Sequence, residues 1–193
     1  MGTVETNLYN AALKHEGLFT SAEACQAGVS PHALLQAERR GRVVRVSRGI
    51  YRLVNFPVLE ERAQLWEAVL WPTTRRGASA ELGVLSHLTA LFLNYAELDY
   101  IPTRVTITIS PKLRIRKGRP SWLDVYKAEL LKHEVSYSGS GLPVTTLDRT
   151  LRDCLEASVD NRLIKQVFMA ALAEPNYAKL SSSTIARIRT ALG

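Results

Sequence analysis

Six arginines crowd into the fourteen residues that end at Arg52: Arg39, Arg40, Arg42, Arg45, Arg48 and Arg52. A guanidinium is a planar, permanently charged fork whose N–H pairs match phosphate oxygens or the O6/N7 edge of guanine. Ahead of them stand His32 and Gln36, the second with an amide that can pair with adenine N6/N7. A second basic run, Lys112, Arg114, Arg116, Lys117 and Arg119, contains no acid. Residues of these types bind polyanions, but a charge run is also the ordinary make-up of a solvated face. The elements that carry each run decide between the two uses.

For the first run those elements are legible. Ser30 as N-cap, Pro31 at the first helical position and Gly41 just past the end predict a helix over 31–40. Leu34 and Ala37 fall on one face with Ala33 beside them, while His32, Gln36, Arg39 and Arg40 lie on or near the other. Upstream, Leu8, Ala11, Ala12 and His15 form a helical stripe over 6–15. Thr20 with Glu23 has capping-box spacing for a second helix that stops at Gly28. Only Gly28, Val29 and Ser30 separate that helix from the next, which is the helix-turn-helix layout.

After Gly41 the apolar period shortens to that of a strand. Val43, Val44 and Val46 precede a turn at Ser47-Arg48-Gly49, and Ile50, Tyr51 and Leu53 follow it, so a β-hairpin is expected. A helix followed by an arginine-studded hairpin makes residues 1–56 a winged helix-turn-helix. Such a domain can place helix 31–40 in a DNA major groove and the Arg48 wing tip on phosphate or in a minor groove, or can serve protein contacts alone. The basic residues gather on the two elements that would touch a duplex, and this favours DNA.

Phe56-Pro57 marks the expected boundary, with residues 57–193 as a second domain. Residues 58–71 carry Leu59, Ala63, Trp66, Val69 and Leu70 at helical spacing, and Ser86 precedes an apolar helix with Leu88, Leu91, Phe92 and Leu93. Val105-Thr106-Ile107-Thr108-Ile109 is the clearest strand, and Trp122–Tyr126 and Glu134–Tyr137 are further, short strands with weaker signals. Thr145 with Asp148 repeats capping-box spacing ahead of Leu147, Leu151, Cys154 and Leu155, and two more helices follow near 160–173 and 182–191. The fold class is α+β: an N-terminal winged helix-turn-helix and a mixed α/β C-terminal domain.

The bulk numbers agree. The 193 residues are 46% hydrophobic and 22% charged, with a formal charge of +7, enough for one full domain plus a small module and weighted towards anionic partners. By segment the charge is +3 over 1–56, −3 over 57–100, +6 over 101–120 and +1 over 121–193. No apolar run approaches the ~18 residues of a membrane helix, and two cysteines far apart in sequence support neither a disulfide framework nor a zinc site. A cytoplasmic protein without membrane contact is expected.

Catalytic chemistry finds little to stand on. His15, His32, His87 and His133 have no metal-ligand spacing, and Ser138-Gly139-Ser140-Gly141 is neither a Walker sequence nor a kinase glycine-rich loop. His87 reads as a hydrogen-bonded core or domain-interface residue, Asp148 and Asp153 as solvated helix charges, and Cys25 and Cys154 as small buried hydrophobes. No catalytic residue, metal or cofactor is expected. The 112–119 run offers three uses: an extension of a nucleic-acid footprint, a dock for an acidic or RNA-associated partner, or a solvated loop.

Several segments together resemble the AbiEi-type antitoxin and transcriptional regulator family of type IV toxin–antitoxin systems. They are Gly17-Leu18-Phe19-Thr20, Ala27-Gly28-Val29-Ser30, the stretch from Arg39 to Arg52, Leu85-Ser86-His87-Leu88-Thr89-Ala90-Leu91, Val105-Thr106-Ile107-Thr108, and Gly141-Leu142-Pro143-Val144-Thr145-Thr146-Leu147-Asp148-Arg149-Thr150-Leu151. They occur in the family's order over most of residues 15–157, whereas Ala37 and Glu38 depart from its recognition helix and the last 35 residues match little.

The resemblance implies an antitoxin that neutralises a nucleotidyltransferase-like toxin and represses its own operon by binding inverted-repeat operator DNA, with self-association on that DNA. The residues expected at the DNA are Ser30, His32, Gln36, Arg39, Arg40, Arg42, Arg45, Arg48 and Arg52. Two rivals stand beside it: an antitoxin that acts by direct toxin binding with little DNA role, and an enzyme that modifies its toxin, for instance by phosphorylation, for which no nucleotide-binding fingerprint is visible.

Overall fold

A computed structural model describes residues 2–57, 60–74, 81–95, 98, 101–115, 118–173 and 180–192. The chain divides into two compact units. The first comprises Met1–Gly83 with Lys112–Lys117 and Gly139–Leu142, and the second holds the remaining segments from Val84 on.

In the first unit, α1 (Thr3–Leu13) leads into β1 (Leu18–Thr20), α2 (Ser21–Gln26), α3 (Pro31–Arg39), β2 (Val43–Ser47) and β3 (Ile50–Leu53). The capping box forms as its spacing requires: Thr20 Oγ1 accepts from Glu23 N at 3.2 Å and Thr20 N donates to Glu23 Oε2 at 2.8 Å. The three strands make an antiparallel sheet in the order β1-β3-β2. β1 is too short to show a period in the sequence, and its partner strand defines it through the pairs Leu18 with Arg52, Phe19 with Tyr51 and Thr20 with Ile50.

Strand alternation then sorts the side chains onto two faces. Phe19, Tyr51 and Val43 face the core shared with Leu8, Ala12, Ala24, Leu34 and Ala37. Leu8, Leu18, Phe19 and Ile50 are almost wholly enclosed, each contributing roughly 1.5–3 kcal/mol of hydrophobic stabilisation. Leu18, Val44 and Arg52 lie on the opposite face.

That opposite face is where the next helix joins the first unit. Helix α4 (Glu60–Leu70), expected to open the second domain, belongs to the first unit. Three contacts secure it: Arg52 with Glu60 at 2.7 Å, Arg62 with Glu16 at 3.1 Å, and the Trp66 ring 4.8 Å from that of His15. A 3₁₀ turn over Trp71–Thr74 follows. Leu59 of the expected helix lies outside the described residues.

The second unit contains β4 (Val84–Leu85), α5 (His87–Asn94), β5 (Val105–Ile109), β6 (Leu123–Lys127), β7 (Val135–Tyr137), β8 (Pro143–Thr145), α6 (Leu147–Glu156), α7 (Asn161–Ala173) and α8 (Ser182–Leu192). Its mixed sheet runs β6-β5-β4-β8-β7; β5 with β6 and β4 with β8 are parallel, and the other two pairs antiparallel. Every residue of β5 is buried, as a central strand covered on both faces requires. Leu91, Leu147, Leu151, Ile164, Val167, Phe168 and Ile188 form the helical core. β4 and β8 carry no alternating run long enough to register from sequence, so both are additions to the expected elements.

The capping box expected at Thr145 and Asp148 does not form. Thr145 is the last residue of β8, its hydroxyl 2.7 Å from that of Thr150, and the N-cap of α6 is Thr146 without a side-chain bond. Asp148 instead accepts from the backbone N–H of Ser181 at 2.7 Å.

Candidate nucleic-acid interface

α3 starts and stops where its end signals lie. Ser30 Oγ accepts from Ala33 N at 3.2 Å, and Pro31 occupies the first turn, where its missing N–H is no loss. Ser30 thus acts as the helix cap and is exposed. Leu34 and Ala37 are buried, so the outward face carries His32, Leu35 and Arg39, with Gln36 half-buried at its edge and Arg40 exposed just past the last turn. Gln36 and Arg40 also line a cavity of about 250 Å³ between α1 and α3, floored by Leu8, Ala33 and Ala37.

The wing is the β2–β3 hairpin, turning through Arg48 and Gly49. Gly49 has φ +80°, which an L side chain resists, and this position needs it to close the hairpin. A β-bulge between Arg45 and Ser47 offsets the ladder just before the turn. Arg45 shares the sheet face of Val43 and is exposed, its Nε donating to Ser47 O at 3.4 Å.

The nine expected residues therefore separate by what they already hold. Arg42 is ion-paired with Glu5 of α1, and Arg52 with Glu60. Arg39, Arg40 and Arg48 are exposed and have no ion pair among the described residues. The hairpin and the outer face of α3 hold these free guanidinium groups with His32 and Gln36. That is a set able to grip phosphate oxygens and to reach base edges.

The described residues of the second basic run form no strand. Lys112 and Arg114 lie exposed in irregular chain after β5, and Arg116 and Lys117 lie outside the described residues. Arg119 Nη1 stands 3.7 Å from Asp124 Oδ1, a carboxylate that Arg104 grips with two bonds of 2.7 Å. Arg119 thus approaches an acid from outside its own run.

The second unit holds two polar clusters, of which only His87 is legible in the sequence, as a hydrogen-bonded core or domain-interface residue. Ser86 Oγ, fully enclosed, accepts from Thr108 Oγ1 at 2.8 Å and lies 2.9 Å from His87 Nδ1. His87 has φ +52° and stacks on Tyr126 with ring centroids 3.8 Å apart. Burial, the largest influence, holds its imidazole below the ordinary histidine range, with Arg149 acting the same way and Asp153 opposing.

The other cluster is ionic. Arg149 bonds Asp153 Oδ1 at 2.7 Å and Glu134 Oε2 at 2.8 Å, and Arg152 bonds Glu134 Oε1 at 2.7 Å. Asp153 and Glu134 are both buried, which corrects the expectation that Asp153 is a solvated helix charge. The i, i+4 spacing of Arg149 and Asp153 was the available signal; the inward turn of Glu134 had none. Cys25, expected to be buried, is exposed, whereas Cys154 is buried, and desolvation pushes its thiol up to about 12. Among the described residues no three metal-binding side chains converge, and no helix is long and apolar enough to cross a membrane.

Comparison with known proteins bears on the first unit. No curated protein matches the chain. The crystal structure of the RV2827C protein from Mycobacterium tuberculosis is similar at 14% identity and a TM-score of 0.46, with 100% of this chain and 77% of that one covered. Residues 8–54, which span the sheet, the helix pair and the wing, match the family model described as a transcriptional regulator, AbiEi antitoxin. Over that segment the chain is similar to the AbiEi antitoxin and transcriptional regulator family.

Proposed function

We propose that this protein is the antitoxin of a toxin–antitoxin operon and represses that operon by binding inverted-repeat operator DNA through its winged helix. The observation that carries the DNA half is that Arg39, Arg40 and Arg48, on the two elements that a duplex would meet, are exposed and have no ion pair among the described residues. Phosphate contacts from the wing set register, and His32, Gln36 and Arg39 face the bases. Two copies on one duplex need half-sites about one helical turn, ~34 Å, apart. The partner neutralised is a nucleotidyltransferase-like toxin; the match of residues 8–54 to an antitoxin family supports the antitoxin part of this reading. The chain acts by binding rather than catalysis, in the cytoplasm; of the one serine–histidine pair described above, the serine is fully enclosed.

The test is a fluorescence-anisotropy titration against duplexes from the chain's own upstream region and a scrambled control at several salt concentrations. The wild type is compared with an Arg39→Ala, Arg48→Ala double variant. Preference for the upstream duplex, a steep salt slope and loss of both in the variant are expected. Equal weak binding to every duplex overturns the repressor reading. Intact mass of the toxin after incubation with this protein and ATP is expected to stay unchanged; an added phosphate overturns the non-catalytic reading.

A further inference from the structure

The outward face of α3 holds one residue whose chemistry differs from its neighbours. Leu35 is 42% exposed, three residues after His32 and four before Arg39, so it stands in the same stripe as those two side chains and Gln36. It does not complete the core, which Leu34 and Ala37 fill from the opposite side of the helix. It cannot hold phosphate, having neither charge nor polar atom. A lone exposed leucine needs no explanation on an ordinary surface. Here, though, it stands in the face that Arg39 and His32 would carry into a major groove. In that groove the main apolar feature on the base edges is the C5-methyl group of thymine.

We infer that Leu35 is a specificity-determining residue that reads thymine through its methyl group, flanked by polar readout from His32, Gln36 and Arg39. This rests on the DNA-binding reading and adds to it a requirement for thymine opposite the middle of α3. Such a contact is apolar. It therefore differs from the arginine contacts in being indifferent to salt, because it releases no counterion.

The experiment begins by selecting duplexes from a random pool with the full-length protein. In the preferred duplex each thymine is then replaced singly by deoxyuridine, which removes the methyl and leaves the pairing edge intact. Wild type and Leu35→Ala are titrated against every version, with thermal melting to show that the variant is folded. The expected result is one thymine per half-site whose replacement weakens wild-type binding about four-fold, the worth of one buried methyl, and leaves Leu35→Ala unaffected. The ratio of wild-type to Leu35→Ala affinity is expected to hold constant across salt, while that for Arg48→Ala shrinks as salt rises. If no single replacement weakens the wild type, or if one weakens both proteins equally, Leu35 does not read thymine, whereas the DNA-binding reading stands. If the pool yields no preferred duplex, the DNA-binding reading fails and the inference with it.

Discussion

Arg52 Nη1 lies 2.7 Å from Glu60 Oε1, on the sheet face that β3 shares with Leu18 and Val44. Arg48, four residues earlier, sits at the hairpin turn with no acid in reach among the described residues. Two arginines of one hairpin are thereby given different work: Arg52 ties α4 to the sheet, and Arg48 remains available to an anion.

This difference predicts a split in salt dependence. Arg48→Ala is expected to flatten the slope of log K against log salt by about 0.9, the loss of one phosphate contact. Arg52→Ala is expected to leave the slope unchanged and to cost at most about 1 kcal/mol of stability, as an exposed ion pair does. Anisotropy titrations at four salt concentrations check the first, and urea unfolding the second.

Gly17 has φ +97°, and a Cβ there would stand 2.8 Å from Cδ1 of Phe56. Gly17→Ala is expected to destabilise the first unit by about 2 kcal/mol through backbone strain, with further loss from the clash. Pairing it with Phe56→Ala should return the clash portion and not the strain. Denaturation of the two single variants and the double variant measures each part.

Glu134 is opposed by burial, yet the Leu131 backbone N–H and the Arg152 and Arg149 guanidinium groups together hold its carboxyl below the usual range. Stability from a depressed carboxylate is present above its unfolded pKa and is lost as pH falls through the folded one. Glu134→Gln is therefore expected to lower stability at pH 7 by about 3 kcal/mol, since it leaves two arginines short of their acid. It should also flatten the acid limb of the stability profile. Urea midpoints from pH 7 down to pH 3 test both.

His87 behaves in the same direction for a different reason. Its folded-state pKa is held down chiefly by burial, so the unfolded chain binds the proton more readily. Stability is complete above about pH 6.5, the ordinary histidine value, and declines as pH falls below it. Asparagine tolerates the positive φ of this position. In His87→Asn the decline between about pH 6.5 and 5 is expected to disappear, which melting temperatures across that range would register.

The legible parts of the chain were those governed by neighbours in sequence. Ser30, Pro31 and Gly41 bound α3, Thr20 and Glu23 cap α2, and the Val43-to-Leu53 hairpin turns at Gly49, because capping, periodicity and turn chemistry act over a few residues. What escaped depends on distant partners. β1 is a strand because β3 offers its edge, and Leu85 of β4 needs Ile107 and Val144 on either side. Glu134 turns inward to meet Arg149 from fifteen residues further on. At the candidate interface, side-chain type identified the arginines, but the acids that claim Arg42 and Arg52 come from α1 and α4 and have no local signature.

The two residues of β4 bear on how the second unit opens. They are the sole hydrogen-bonded link among the described strands between the β5–β6 pair and the β7–β8 pair. A seam that narrow divides the sheet into two leaves. Amide protons within each leaf should exchange together, and those of Val84 and Leu85 should exchange no more slowly than the less protected leaf. The leaf that carries Ser86 and its hydroxyl neighbour Thr108 could then part from the leaf on which Thr145 and Thr150 meet before either is lost.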